Sequence, residues 1–428
     1  MRRIRHPYLH LLGVVLLLGA LAGCEPAPPA FTQMTVATGE VGVPTTAVDP
    51  QQGTVYWAWF GKEDSLTNVY LARLESGHET ISEPVQVNRL PGNANWHAQA
   101  PAQVAVGPEG QVYVAWTNKI DVEGRRFPAS NLLVARSTDG GRTFESPTTV
   151  NDDAAGRPTS HTFHSIAAGP DGTIYVSWLD SRKRDHARAA LAHHGQPTLQ
   201  QASHSHSTAQ HDAMPGTELR VARSTDGGQH FGTNVVVAQN TCQCCRTALD
   251  VTADGTVYLA WRHVFPDKSR DMALVRSTDY GMTFSEPVRV HEDGWTIEGC
   301  PHSGPALEVD GKGSIHVAWY TGVETGAGLF YAVSDDAGAT FGAPHTLLAD
   351  VPVSQVSLTE DRGGGVWLSW EDKKEHVVRL ARAEGHDLRF DASSPGFSGD
   401  LPALAAAGGV WTLAWKGEHG IETRVARE

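Results

Sequence analysis

Cysteine is scarce in this chain, five in 428 residues, too few for a fold held by a dense disulfide framework. Positive charge is also short. With 34 lysines and arginines against 48 aspartates and glutamates, the formal net charge of −14 speaks against nucleic acid or anionic lipid headgroups as partners. Long apolar runs are missing except for Leu9 to Leu21, which is too short to span a bilayer. That run follows Arg2, Arg3 and Arg5 and precedes small residues, the layout of an export signal over residues 1–23.

Leu21-Ala22-Gly23-Cys24 resembles the lipobox of bacterial lipoproteins. The resemblance implies that Cys24 is lipidated and anchors the mature chain to a membrane. Pro26, Pro28 and Pro29 then make residues 24–30 a stiff tether. Glu25 is not the aspartate linked to inner-membrane retention in some bacteria, which leaves the outer membrane open beside the inner, and an exported protein, periplasmic or cell-surface, is expected. An ordinary cleaved signal with a coincidental cysteine is the alternative. Outside the cytoplasm, thiols persist only when paired, metal-bound or protected. Cys242, Cys244, Cys245 and Cys300 remain to be explained.

One strand pattern returns along residues 31–428: TVYWAWF at Trp59, QVYVAW at Trp116, TIYVSW at Trp178, TVYLAW at Trp261, SIHVAW at Trp319, GVWLSW at Trp370 and VWTLAW at Trp415. Turns such as GPEG, GPDG, TADG and DGKG lead into the runs. The spacings of 57, 62, 83, 58, 51 and 45 residues predict about four strands per unit, hence a single all-β domain, a seven-bladed β-propeller of antiparallel blades. The last unit ends without a fourth strand, and the segment Phe31 to Gly39 precedes the first, so the N-terminal strand is expected to close the last blade and leave no free edge.

A second motif follows the first in four units: ARSTDGGRTF, ARSTDGGQHF, VRSTDYGMTF and AVSDDAGATF, centred on Asp139, Asp226, Asp279 and Asp336. These resemble the Asp-box of sialidases and other BNR-repeat propellers. In such a turn the aspartate caps backbone N–H groups, the glycine takes a positive φ, and the aromatic packs beneath. The box is structural and carries no chemistry. Sialidases themselves have six blades, which keeps a six-bladed count as the alternative.

In an up-and-down blade, the loops between blades open on one face and the Asp-boxes lie on the other. Counting back from Gly110, Gly172, Gly255 and Gly313 puts His97, Thr159, Cys242 and Cys300 in one register, at the starts of the innermost strands. Gln99, His161, Cys244 and His302 follow two residues later, and residues two apart on a strand point alike. Both sets are expected at the channel mouth. The surplus of about 25 residues between Trp178 and Trp261 is a His-rich insertion, 183–215, carrying His186, His193, His194, His204, His206 and His211 above the same face. It lies outside the repeat and is expected to be dispensable for folding.

Several readings compete for this mouth. Thiolates with imidazoles suit copper or zinc, with Cys242, Cys244, Cys300 and His302 as ligands and His161, His97 and His164 as possible additions. Four exported cysteines can equally form disulfides, most readily from Cys242 or Cys244 to Cys300. The sialidase resemblance implies a glycoside hydrolase with an arginine triad, a tyrosine nucleophile and acidic partners. Here the region of the family's first arginine motif reads MTVATGEVGVPTTAV and contains no arginine. Arg182, Arg246, Arg262, Asp180 and Glu298 match no catalytic motif, so no catalytic residue is assigned. A scaffold binding protein or glycan is the third reading. The preferred expectation is a monomeric, lipid-anchored, non-hydrolytic binding protein with a Cys/His site.

Overall fold

The computed structural model describes residues 32–125, 127–193, 216–384, 387–389 and 396–427. The export signal, Cys24, the tether and most of the His-rich insertion, with His194, His204, His206 and His211, lie outside the described residues. Seven antiparallel sheets follow one another along the chain. Six are built from consecutive strands, and the seventh orders Thr32–Thr38 beside Gly420–Arg427, Val410–Lys416 and Asp400–Ala407. The molecule is a seven-bladed β-propeller, and the first described strand closes it, with Met34 opposite Thr423. A six-bladed arrangement is excluded because each of the seven Trp repeats lies in a sheet of its own.

Each repeated apolar run forms the second strand of a blade, where both faces pack against neighbouring blades. Trp116, Trp178, Trp261, Trp319 and Trp370 are fully buried, and Trp59 and Trp415 nearly so. Strands buried on both sides lose the alternation of a half-exposed sheet, which explains runs such as Val112-Tyr113-Val114-Ala115-Trp116. The core therefore lies between blades. Val69 and Leu71 of the first blade, for example, share one cluster with Val114 and Trp116 of the second.

The Asp-boxes fasten these interfaces from the far side. In the fourth blade the Asp279 carboxylate accepts bonds from the backbone N–H groups of Met282 and Thr283, the Ser277 hydroxyl and the Thr283 hydroxyl. Where the second box has His230 in place of threonine, the imidazole Nδ1 takes over at 2.8 Å from Asp226. Gly338 has φ of +82°, and a Cβ there would meet Leu274 of the preceding blade at 2.4 Å. Glycine is required by both the turn and the close approach.

The innermost strands are Thr45–Val48, Gln103–Val106, His161–Ala168, Ala248–Val251, Ala306–Val309, Val353–Glu360 and Asp400–Ala407. Only His161 of the expected register positions lies on such a strand. His97, Gln99, Thr159, Cys242, Cys244, Cys300 and His302 all lie in the loops that precede them, so the two-residue alternation does not govern where their side chains point.

Candidate metal centre at the channel mouth

The loop that carries NTCQCC joins the third blade to the fourth. Its first part still follows sheet geometry: the Val264 N–H donates to the Asn240 carbonyl and the Cys242 N–H to the Arg262 carbonyl, both at 2.9 Å. Pairing then resumes at Ala248 opposite Ala260. One chain advances from Cys242 to Ala248 while its neighbour moves only from Arg262 to Ala260. The surplus residues are thrown out as a turn, and this turn gathers three cysteines that an unbroken strand would send to opposite faces. Its far end is held by Thr247, whose hydroxyl and N–H both donate to the Phe163 carbonyl. Phe163 is itself the bulged residue of the third inner strand, with φ of +57°.

The result is a compact sulfur cluster. Cys242 Sγ stands 3.5 Å from Cys245 Sγ and 3.9 Å from Cys244 Sγ. The four cysteines among the described residues are free thiols; Cys242, Cys244 and Cys245 are buried and Cys300 is exposed. Cys300 and His302 arrive from the next loop, between the fourth and fifth blades. The ligand atoms of Cys244, Cys300 and His302 lie within 4.8 Å of one another, as do those of Cys242, Cys244 and Cys245. His302 takes φ of +51°, a further departure from strand geometry in this loop.

The surroundings are apolar on one side and cationic on the other. Phe163, Leu219, Leu259 and Trp261 pack in the same cluster as the three buried thiols. Arg262 is also buried. It donates to the carbonyls of Ser303, Arg270 and Tyr320 and stacks over Trp295, with no ion pair among the described residues. Arg270 Nη1 lies 3.8 Å from Cys242 Sγ and donates to the Gly299 carbonyl at 2.6 Å, so it ties the two cysteine loops together.

These neighbours divide the thiols into two kinds. Hydrogen bonds from Cys244 and Cys245, with Arg262 and Arg270 behind them, hold the Cys242 thiol well below its usual range. A hydrogen bond from Cys244, aided by Arg270, brings Cys300 down to about 7. Cys244, whose single S–H can go to Cys242, Cys245 or Cys300, is pushed up by these neighbours, Cys242 first, and by burial. Burial pushes the Cys245 thiol up to about 12.

The histidines expected at the mouth separate. The His97 ring lies 6.0 Å from the His302 ring and 5.3 Å from Phe163, and its Nδ1 accepts the Gln99 N–H at 3.1 Å. The channel walls around His97, and then His302, disfavour its charged form. His161 turns elsewhere: Nδ1 lies 2.5 Å from the Ser130 carbonyl and Nε2 lies 3.0 Å from Asp153 and 3.5 Å from Asp180. Both its ring nitrogens are engaged. His164 is buried, with Nε2 on the Ala115 carbonyl, and burial lowers it to about 4. Cys245 joins the cluster although alternation pointed it away, and only its place in the C-x-C-C run could have flagged it.

The described start of the His-rich insertion is a helix, Arg182–His193, lying beside these loops. Asp185 accepts the Ser160 N–H at 3.0 Å and pairs with Arg125 at 3.2 Å, and Arg184 bonds to Gln243 of the cysteine turn. Two of the three arginines considered for a carboxylate clamp are otherwise occupied: Arg182 pairs with Asp180 and Asp152, and Arg262 serves carbonyls, while Arg246 is 3.5 Å from the Val356 carbonyl. Glu298 is exposed.

No family model and no curated protein sequence matches the chain. Solved structures do. An ulvan lyase of polysaccharide lyase family PL25, bound to a GlcA(1-4)Rha3S unit, is 12% identical, with 93% of this chain and 96% of the lyase covered and a TM-score of 0.56. A protein of unknown function from Dyadobacter fermentans is 13% identical over 94% of this chain and 100% of its own, with a TM-score of 0.50. A Hadza microbial sialidase is 13% identical over 87% of this chain and 76% of its own, also at 0.50. At such identities the likeness is one of fold, that of a β-propeller.

Proposed function

We propose that this protein binds a thiophilic metal, copper(I) ahead of zinc, through Cys242, Cys244, Cys245, Cys300 and His302. The observation that carries this reading is the convergence of four unpaired thiols and one imidazole from two successive loops. An ion with metal–sulfur bonds of about 2.3 Å sets trigonal or tetrahedral thiolates about 3.8–4.0 Å apart. The sulfur separations of 3.5 and 3.9 Å fall beside that spacing without rearrangement of the loops. A donor set dominated by thiolates favours soft copper(I). His97, whose ring is tilted toward that of His302 at 6.0 Å, is a reserve donor.

Held outside the cytoplasm by a lipid on Cys24, such a site makes the protein a monomeric, membrane-tethered metal binder and not a hydrolase. A sialidase-type reaction needs free arginines to grip a carboxylate, and Arg182 and Arg262 are committed to other partners. A scaffold reading gives the buried thiols no task.

Elemental analysis of the full chain, purified under reducing and anaerobic conditions and supplied with copper(I) or zinc, tests the reading together with a thiol count after denaturation. Retained copper(I) with titratable thiols supports it. Protein that retains neither metal and shows no free thiols sinks it and returns the cysteines to disulfides.

A further inference from the structure

We infer that the channel mouth holds two cuprous ions bridged by the Cys244 thiolate, an inner ion on Cys242 and Cys245 and an outer ion on Cys300 and His302. This inference rests on the metal-binding reading above and extends it to stoichiometry and to the division of the site. Two donor sets are present, each with all its ligand atoms within 4.8 Å, and Cys244 belongs to both. A single tetrahedral ion takes four ligands and leaves one of the five donors over. A thiolate sulfur has lone pairs enough for two ions, so sharing Cys244 gives each ion three donors and leaves none idle.

Donor type selects the oxidation state, because a set dominated by thiolates favours copper(I). The cluster faces several guanidiniums: Arg262, with no ion pair among the described residues, Arg270 at 3.8 Å from Cys242, and Arg184, which acts on Cys300. Four thiolates with two monovalent ions keep two negative charges for these cations to meet, whereas two divalent ions would leave a neutral cluster beside them.

The two ions differ in access. Cys242 and Cys245 are 2% and 1% exposed and sit among Phe163, Leu219 and Trp261, whereas Cys300 and His302 face solvent. Copper therefore exchanges at the outer position and passes across the shared sulfur to the inner one.

The test is an anaerobic titration of the reduced full chain with copper(I) against bicinchoninate, with copper counted by elemental analysis and the metal–metal vector sought by X-ray absorption. Two equivalents with short copper–copper scattering are expected in the wild type. Cys300→Ser and His302→Ala, both at exposed positions, should each fall to one equivalent and lose that scattering. One equivalent in the wild type without copper–copper scattering overturns the two-ion site and leaves the metal-binding reading standing. No retained copper overturns both. Two equivalents in Cys300→Ser and in His302→Ala overturn the outer site.

Discussion

Arg270 stands with one guanidinium nitrogen 3.8 Å from Cys242 Sγ and 2.6 Å from the Gly299 carbonyl, so a single cation serves the thiol of one loop and the backbone of the next. It comes from the loop between the second and third strands of the fourth blade, which opens on the same face. The two cysteine loops are thus set against each other by a residue that neither contains.

That placement gives a pH-dependent consequence in the metal-free, reduced protein. Cys300 is lowered to about 7, mainly by the hydrogen bond from Cys244 and in part by Arg270. Removing the cation raises the thiol, so fewer molecules carry the reactive thiolate at neutral pH. Arg270→Ala should slow alkylation of Cys300 at pH 7 on the order of 3-fold and move the midpoint of its pH profile upward. An unchanged midpoint would remove Arg270 from the electrostatics of the site.

The Asp-box offers a second acid-sensitive group, on the opposite face. The Thr283 hydroxyl, then the Thr283 N–H, hold Asp279 down to about 2. Its folded value lies below the ordinary carboxylate value of about 3.9, so its contribution is complete above about pH 4 and is lost as the pH falls through about 2. Asp279→Asn should cost about 1 kcal/mol at pH 7, by analogy with the loss of a capping side chain. Denaturant unfolding at both pH values checks this: the gap between variant and wild type should narrow toward pH 2, and a constant gap would show that the charge plays no part.

The propeller was legible because its evidence is repeated. Seven Trp strands and four boxes each carry the same local physics, and strand closure follows from counting strands in the last unit. The site was legible only as far as residue type. Cys242, Cys244, Cys300 and His302 were brought forward by lining up turn glycines, and the structure gathers them, but by a different route. Counting back assumes regular pairing, and pairing ends at Cys242 and resumes at Ala248. His161 shows the converse. It lies on a true inner strand, where its neighbours Ser130, Asp153 and Asp180 engage both ring nitrogens, and those partners are spread over loops and strands that no spacing in the chain connects.

The insertion is another place where low complexity hid a packed element. Residues 183–215 read as a segment outside the repeat, yet the helix Arg182–His193 is docked through Asp185, which accepts the Ser160 N–H and pairs with Arg125. Asp185→Ala leaves a part-buried N–H and a guanidinium without their carboxylate, and should cost about 1–3 kcal/mol. Deleting residues 183–215 should cost at least as much. Thermal or denaturant unfolding of both variants decides the matter, and wild-type stability in the deletion would show that the helix rests on the propeller without supporting it.

Cys245 carries the most discriminating test of the inner position. Strand alternation would turn it away from Cys244, and its thiol would then be only a small apolar filler beside Trp261. The turn after Cys242 instead leaves Cys245 Sγ 3.5 Å from Cys242 Sγ, with both residues buried. If Cys245 is a ligand, Cys245→Ser should weaken copper(I) binding by about tenfold or more, since even residues that merely support a metal ligand cost about that much. The loss should match that of Cys242→Ser, because both hold the same ion. A packing role predicts otherwise: Cys245→Ala, which keeps an apolar side chain, would retain wild-type affinity while Cys242→Ser lost it. Copper(I) competition on these three variants, with unfolding curves as a control for stability, separates a thiol that holds metal from one that only fills space.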